Sequence, residues 1–347
     1  MIRFTKRRMG TVAIAGVITL LATACAPVGD TASPDPGSGG DPVSITVLLP
    51  NPSAINVFNL CVAIGEGYLA DEGIDATVEA VDGSGAVLQA MVAEQAQIGL
   101  PGPGPVLNGI NAGEDVRMFY NSFSQSLFGL VVPADSSINS IEDLRGQTIG
   151  VGTAEGAEVS YAKGILSDAG LEEDTDYTML AVGDGGLAVA AFERGDIAVY
   201  SAAVSDMAII EARGIPLREI TPEKFLAFFG NGFAATGKYM EENPEIIQGF
   251  TNALLKANAW ALDNKAGTLK HCNEINPEEG SDAELASALY DAITPRAQPT
   301  GSDPVGVFPA EGWKAWEQTL VASGELPGPI ADLSAAYNNK FVENASK

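Results

Sequence analysis

The chain is poor in the residues that most enzymes rely on. Its 347 residues include one histidine, His271, and three cysteines, Cys25, Cys61 and Cys272. A Ser–His or Cys–His nucleophile system would have to be built on His271. That residue sits in Leu269-Lys270-His271-Cys272, in a charged helical stretch near the C-terminus, and reads as a surface side chain. No HExxH motif or paired CxxC occurs, so a metal site has no recognisable ligand set and no cofactor is expected. Basic residues are scarce too: 19 Lys and Arg face 45 Asp and Glu, a formal net charge of -26. Such a chain repels polyanions, which excludes nucleic acid as a partner. The acids are scattered, as in Glu172-Glu173-Asp174, Glu241-Glu242 and Glu278-Glu279, without calcium-loop spacing. They read as a soluble, self-repelling surface.

A long apolar run is also missing. Arg3, Lys6, Arg7 and Arg8 precede an uncharged stretch from Met9 to Ala24, of which only Thr11 to Leu21 is strongly apolar. A membrane span needs about 20 apolar residues, so this is the pattern of a secretory signal. Leu21-Ala22-Thr23-Ala24-Cys25 resembles a bacterial lipobox, with small residues before a cysteine that is acylated and begins the mature chain. Ala22 stands where leucine is commoner. Two acyl systems on Cys25 would hold the protein at the membrane stably, where one chain binds only marginally. Asp30 to Pro42 is a Gly/Pro/Ser/Asp tether without a large apolar residue. Cleavage before Cys25 would leave 15 basic and 45 acidic residues, a net charge of -30.

What is present is globular: 46% hydrophobic residues, 7% aromatics, and many tight connections implied by 39 Gly and 20 Pro. Ser44 to Leu49 reads as a strand stopped by Pro50-Asn51-Pro52. A helix follows with Val57, Leu60, Cys61 and Ile64 on one face. Ile74 to Val81 is the next strand, Gly83-Ser84-Gly85 leads into a helix to Gln95, and Ile98 to Leu100 is a short strand. Strands alternating with helices predict a largely parallel sheet. The order then recurs. Asp71-Glu72-Gly73-Ile74, Val81-Asp82-Gly83-Ser84-Gly85 and Gln97-Ile98-Gly99 are echoed by Asp168-Ala169-Gly170-Leu171, Val182-Gly183-Asp184-Gly185-Gly186 and Asp196-Ile197-Ala198. Gly83 to Ile98 spans 15 residues and Gly183 to Ile197 spans 14. Two βαβ-type lobes follow, with a cleft between them. Ligands of open parallel sheets sit beyond the carboxyl ends of the strands. The cleft loops are therefore expected at 51–56, 82–85, 101–105, 153–156, 183–186 and 200–203.

Three stretches carry a family resemblance: Ala63-Ile64-Gly65-Glu66-Gly67-Tyr68-Leu69-Ala70-Asp71-Glu72-Gly73-Ile74, Ile141-Glu142-Asp143-Leu144-Arg145-Gly146-Gln147-Thr148-Ile149-Gly150-Val151, and Tyr239-Met240-Glu241-Glu242-Asn243-Pro244-Glu245. In order and over nearly all of 44–262, the chain resembles solute-binding proteins of ABC importers for nitrate, taurine, alkanesulfonates, riboflavin and thiamine-precursor pyrimidines. The resemblance implies an α/β fold of the type II periplasmic binding protein class, with two Rossmann-like lobes and a ligand cleft between them. With the signal peptide read at 1–24 and a disordered tether at 25–42, it implies one lobe at 43–130 plus 230–347 and the other at 131–229. It implies closure by a hinge motion over the solute and docking of the closed form on a permease with ATPase subunits. The protein would act as a monomer, anchored through Cys25 on the outer face of the cell membrane.

In sulfonate- and nitrate-type relatives the loop after the strand 148–151 contributes oxyanion contacts, which implies such a role for Thr153 and Ala154. Free N–H groups at a helix start suit an anion, although Glu155 is unfavourable beside one. Thr153 reads either as that contact or as a helix cap. Ser84 repeats the choice in the first lobe. Pro101-Gly102-Pro103-Gly104-Pro105 is expected to be a rigid run. It either lines the cleft with carbonyls and ring surface, Gly102 included, or is a surface loop. The aromatic candidates are Phe58, Tyr120, Phe123, Phe128, Tyr200, Phe228 and Phe229. Tyr120, Ser122, Phe123, Tyr200 and Ser201 stand at strand ends facing the junction. Asn51 and Asn56 are placed to hydrogen-bond ring nitrogens, carbonyls or carboxylates, and Leu49-Pro50-Asn51-Pro52 is similar to the pyrimidine-precursor branch. The expected solutes are heteroaromatics or aromatic acids first, such as a pyrimidine precursor or riboflavin, then alkanesulfonates, then nitrate. Two other functions remain open: a binding lipoprotein that senses without transport, and an enzyme like thiamine-pyrimidine synthases, whose Cys-rich motif is missing. Cys61 and Cys272 both fall in the first lobe, as either a disulfide or buried small residues.

Overall fold

The structure is a computed structural model and describes residues 41–226, 228–299 and 301–345. The expected signal segment, Cys25 and the expected tether up to residue 40 lie outside these residues. Among the described residues are ten strands: β1 Val43–Leu49, β2 Ile74–Ala80, β3 Ile98–Gly99, β4 Val116–Asn121, β5 Phe128–Pro133, β6 Thr148–Val151, β7 Thr178–Ala181, β8 Val199–Ala203, β9 Leu217–Glu219 and β10 Gly232–Thr236. They form two five-stranded sheets, ordered β2-β1-β3-β10-β4 and β7-β6-β8-β5-β9. In the first sheet β1 pairs in parallel with β2 and β3, and β10 is antiparallel to β3 and β4. In the second, β6 pairs in parallel with β7 and β8, and β5 is antiparallel to β8 and β9.

The echo in the sequence is therefore an echo in topology. Each lobe contributes a three-strand parallel unit, and a strand from a lobe-crossing segment is added antiparallel beside its third strand. β1 shows why its sequence is a continuous apolar run. Val47, Leu48 and Leu49 are all buried, because helices cover both faces of a central parallel strand. β2, at the edge, exposes Asp75, Thr77 and Glu79.

The turns repeat as well. In the first lobe Val81 N–H donates to Leu49 O at 2.9 Å and Gly83 N–H to Pro50 O at 2.9 Å. In the second, Val182 N–H donates to Val151 O at 2.9 Å and Gly183 N–H to Gly152 O at 3.0 Å. Gly83 and Gly183 take φ values of 85° and 86°, a region that side chains with a Cβ avoid. Both turns aim the loop after the second strand at the same place, beyond the end of the first.

The chain crosses between the sheets through an aromatic cluster. The Tyr161 ring lies within 6.0–6.5 Å of Phe128, Phe225, Phe228 and Trp316, and its hydroxyl donates to Phe225 O at 3.1 Å. The Trp316 indole donates to Phe229 O at 3.1 Å. Its helix, Ala310–Ala322, packs on Pro103–Asn111 of the first lobe and Ala157–Asp168 of the second. Phe228 and Phe229, expected as cleft aromatics, are part of this seam. Phe58 packs on Tyr290 in the core instead, with centroids 6.3 Å apart.

Three local expectations differ from the structure. The Pro101–Pro105 run is not a loop throughout, because the helix Pro103–Asn111 starts inside it. Proline at the first helical position loses no hydrogen bond and already has the helical φ. Thr153 is not a helix cap, since the helix Ala157–Asp168 begins after Gly156. His271 is not a surface residue. It is 6% exposed, with Nε2 at 2.8 Å from Glu66 and Nδ1 at 3.3 Å from Glu274, so each ring nitrogen faces a carboxylate. No helix among the described residues is long and apolar enough to cross a membrane.

Candidate functional site

The loops at the carboxyl ends of β1, β2, β6, β7 and β8 meet between the sheets. There they enclose two small chambers of about 40 and 30 Å3, beside a cleft of about 670 Å3. Asn51 lines all three. The first chamber is polar, with Asn51, Ser84 and Asn231 on the first-lobe side and Thr153, Glu158, Asp184 and Asp206 on the second-lobe side. The second is mainly apolar, walled by Leu49, Val57, Leu100, Phe123, Leu127 and Phe128. The lobes touch around these chambers. Gly85 N–H donates to Glu155 O at 3.3 Å. A Cβ on Gly83 would sit 2.7 Å from Thr153 Oγ1, one on Gly104 would sit 2.6 Å from Ser160 Cβ, and one on Gly102 would overlap Ala157. Gly102 has an ordinary φ of -84°. It is therefore the closeness of the other lobe, and not backbone strain, that requires glycine here.

The electrostatics are one-sided. Glu79, Glu158, Asp184, Asp206, Glu278 and Glu279 line the three cavities, and no Lys, Arg or His does among the described residues. Burial is the main cause of an upward shift at three of these carboxyls, as expected when ionised groups lose water. Glu158 is pushed up to about 7, opposed by the Thr153 N–H that its Oε1 accepts at 3.0 Å. Asp206, 8% exposed, is raised by burial and then by the neighbouring Asp184 charge. Asp184, exposed at the cleft mouth, is raised more modestly by its partial burial.

Several backbone N–H groups around the cleft are bonded to the protein's own carboxylates. Thr153 N–H is bonded to Glu158. Gly185 N–H donates to Asp206 Oδ1 at 3.0 Å and Ala203 N–H to Asp206 Oδ2 at 3.3 Å. On the first lobe, Ala54 and Ile55 N–H donate to Glu279 Oε2 at 2.9 and 3.1 Å, and Ser53 Oγ donates to Glu279 Oε1 at 2.5 Å.

A family profile described as NMT1/THI5 like matches residues 54–267. The chain belongs to the NMT1/THI5-like family. The riboflavin-binding protein RibY of Chloroflexus aurantiacus is 24% identical over 342 residues, covering 95% of this chain and 97% of RibY. The alkanesulfonate-binding protein SsuA of Xanthomonas axonopodis pv. citri, solved with bound MOPS, superposes with a TM-score of 0.68 at 18% identity. The match covers 86% of this chain and all of SsuA. The desulfurization enzyme DSZB gives a TM-score of 0.57 at 16% identity, over 87% of this chain and 98% of DSZB. The fold is that of type II periplasmic binding proteins, and it carries both binders and an enzyme, so function must be argued from the site.

Within this family frame the expected residues separate into groups. Asn51, Asn56, Ser84, Phe123 and Thr153 line the chambers or the cleft. Gly102 forms the lobe seam, and its N–H donates to Ser84 Oγ at 3.1 Å. Ala154 is exposed and lines none of the three cavities, because the loop turns outward before Gly156. Tyr120 and Ser122 are buried in the first lobe. Tyr200 lies under the second, its hydroxyl 3.2 Å from Gly183 O, and Ser201 Oγ donates to Glu158 O at 3.0 Å. Both therefore support the site from behind.

Sequence reasoning missed Glu158, Asp206 and Asn231. Glu158 and Asp206 lie one turn inside helices, beyond the loops that glycines advertise. The available signal was an acid in the first turn of each helix, where it can accept backbone N–H groups. Asn231 is 5% exposed and just precedes β10, so it had no motif of its own. Cys61 and Cys272 are free and buried side by side in packed first-lobe helices, and burial first, then Cys272, raises the Cys61 thiol.

Proposed function

We propose that this protein is the solute-capturing component of an ABC importer, secreted, anchored through acyl chains on Cys25, and monomeric. It holds a small organic solute between two lobes and presents the closed form to a permease with ATPase subunits. The observation that carries this reading is the pair of matched loops after β2 and β7. They bring polar groups of both lobes to one enclosed chamber beside an apolar one, which suits a ring with a polar edge. The whole-length similarity to a riboflavin-binding protein supports a heteroaromatic solute. Against an alkanesulfonate or nitrate stand the occupied N–H cradles and the cleft's six acids. Capture without turnover fits the inventory, since neither His271 nor either buried cysteine lines the three cavities.

A thermal-shift screen of pyrimidines, riboflavin, aromatic acids and sulfonates tests the proposal, because a ligand that binds only the folded state raises its apparent stability. Heteroaromatics are expected to raise Tm without being consumed. Shifts confined to sugars or polar amino acids, or turnover of any bound compound, would sink the reading.

A further inference from the structure

Resting on the solute-capture reading, we infer that the inner chamber selects a cationic solute group bearing N–H donors, of the amidinium or protonated aminoheterocycle class. Such a group would be held by Glu158, Asp184 and Asp206 on one lobe and by Asn231 on the other.

The first support is an acceptor with nothing to accept. Asn231 Nδ2 donates to Leu100 O at 3.2 Å, which fixes the amide orientation. Its Oδ1 is buried without a hydrogen-bond partner, in a residue that borders both small chambers. Leaving a buried acceptor unpaired is unfavourable, so the site favours a ligand that brings a donor.

The second support is the charge of the wall. Three carboxylates face this chamber, and no basic side chain among the described residues lines it or its neighbours. The other charged groups close by are also acids, Asp82 beside Asp184 and Glu155 at the lobe seam. Closing the lobes over ionised carboxylates removes water from them, which is unfavourable unless a counter-charge enters or the groups take up protons.

The third is that three backbone N–H groups suited to an anion are already taken. Thr153, Gly185 and Ala203 N–H groups are bonded to Glu158 and Asp206. An anionic group seated on these N–H groups would have to displace a tethered carboxylate and then lie beside it. Thr153 Oγ1, also without a partner, is able to donate or accept and so adds a contact without deciding the sign. A planar cation with several N–H bonds satisfies Asn231 Oδ1 and the carboxylates together. The Phe128 ring, which borders both small chambers, offers an apolar surface beside them.

Benzamidinium, benzamide and benzoate share one planar skeleton and differ in charge, so calorimetric titration of the full chain with all three isolates the effect. Benzamidinium is expected to bind at least ~10-fold more tightly than benzamide, and benzoate to give no heat. Its affinity should rise by a similar factor between about pH 5.5 and pH 8, with protons released on binding as the carboxyls ionise. Glu158→Gln and Asn231→Leu should each reduce the preference for benzamidinium, with unchanged circular dichroism as the check on folding. Benzoate or benzamide binding as tightly as benzamidinium would overturn the inference. So would a preference indifferent to pH and to both substitutions. If none of the three binds while neutral heteroaromatics from the broader screen do, the charge inference fails and solute capture stands. If nothing binds in either experiment, both fail.

Discussion

At the end of β2 the chain turns through Gly83, and at the end of β7 it turns through Gly183, with φ values that differ by one degree. The same backbone device, tied down by the same kind of hydrogen bond to the loop after the first strand, delivers different chemistry. The first lobe brings Asn51, Ser84 and Asn231, all uncharged, to the inner chamber, whereas the second brings Glu158, Asp184 and Asp206. The backbone unit decides where a side chain can be placed. The residue at that place decides the charge, because φ and ψ at these turns do not depend on whether the following helix starts with an acid. Gly152 shows how tightly the second lobe is organised around its acids. A Cβ there would overlap Asp184 and come within 3.2 Å of Glu158 Oε1.

Removing the central acid of the charged lobe should have the largest effect. Asp206→Asn removes a carboxyl that would ionise against a bound cation and turns an amide N–H2 toward one of the two backbone N–H groups that Asp206 accepts. Truncating a buried, hydrogen-bonded charge pair costs about 2–5 kcal/mol, so affinity for a cationic solute should fall by roughly 30-fold or more. Titration calorimetry measures this, and an unchanged Kd would erase the distinction between the lobes.

Holding the two faces apart should come next. Gly102→Val keeps an allowed backbone but meets Ala157 of the other lobe. Overpacking of this kind costs about 1–3 kcal/mol, or about 10–100-fold in affinity if it acts on closure alone. Small-angle scattering should show a more open particle with far-UV circular dichroism unchanged.

The acids of the second lobe should also give the unliganded protein a pH signature. An unfolded glutamic acid ionises near ~4.3, whereas burial lifts folded Glu158 to about 7. Between those values the folded state keeps a proton that the unfolded state has released. Stability therefore falls as pH rises through this window. Asp184 and Asp206 shift in the same direction and add to the slope. Thermal melts should show a lower Tm near pH 7 than near pH 5, and Glu158→Gln should flatten the profile. A Tm rising over this range would contradict the burial of these groups.

The smallest effect is expected on the neutral lobe. Ser84→Ala removes the acceptor of the Gly102 N–H and should cost about 1 kcal/mol of stability, with no change in the pH profile. Chemical denaturation at two pH values separates that outcome from a change in charge.

The placement of the loops is legible in the amino-acid order, because glycine at a forced φ after an apolar strand is a local signal. Asn51, Ser84 and Thr153 follow from it. Tyr120 and Tyr200, expected to face the cleft, lie behind it, since a strand end alternates its side chains between faces and sequence does not say which face meets the other lobe. The Pro103 start of a helix is hidden by a proline-rich run that reads as a loop.

By itself the sequence determined the repeated strand–turn–helix order, the glycine positions that shape the cleft and the missing catalytic inventory. These depend on period, backbone freedom and residue type, which are local properties. Only the tertiary structure decided that Glu158 and Asp206 fold back onto backbone N–H groups of the cleft loops, and that Asn231, 147 positions beyond Ser84, shares a chamber with it. Charge and hydrogen-bond demand inside a cleft arise from groups distant in the chain, so they become definite only when the lobes are assembled.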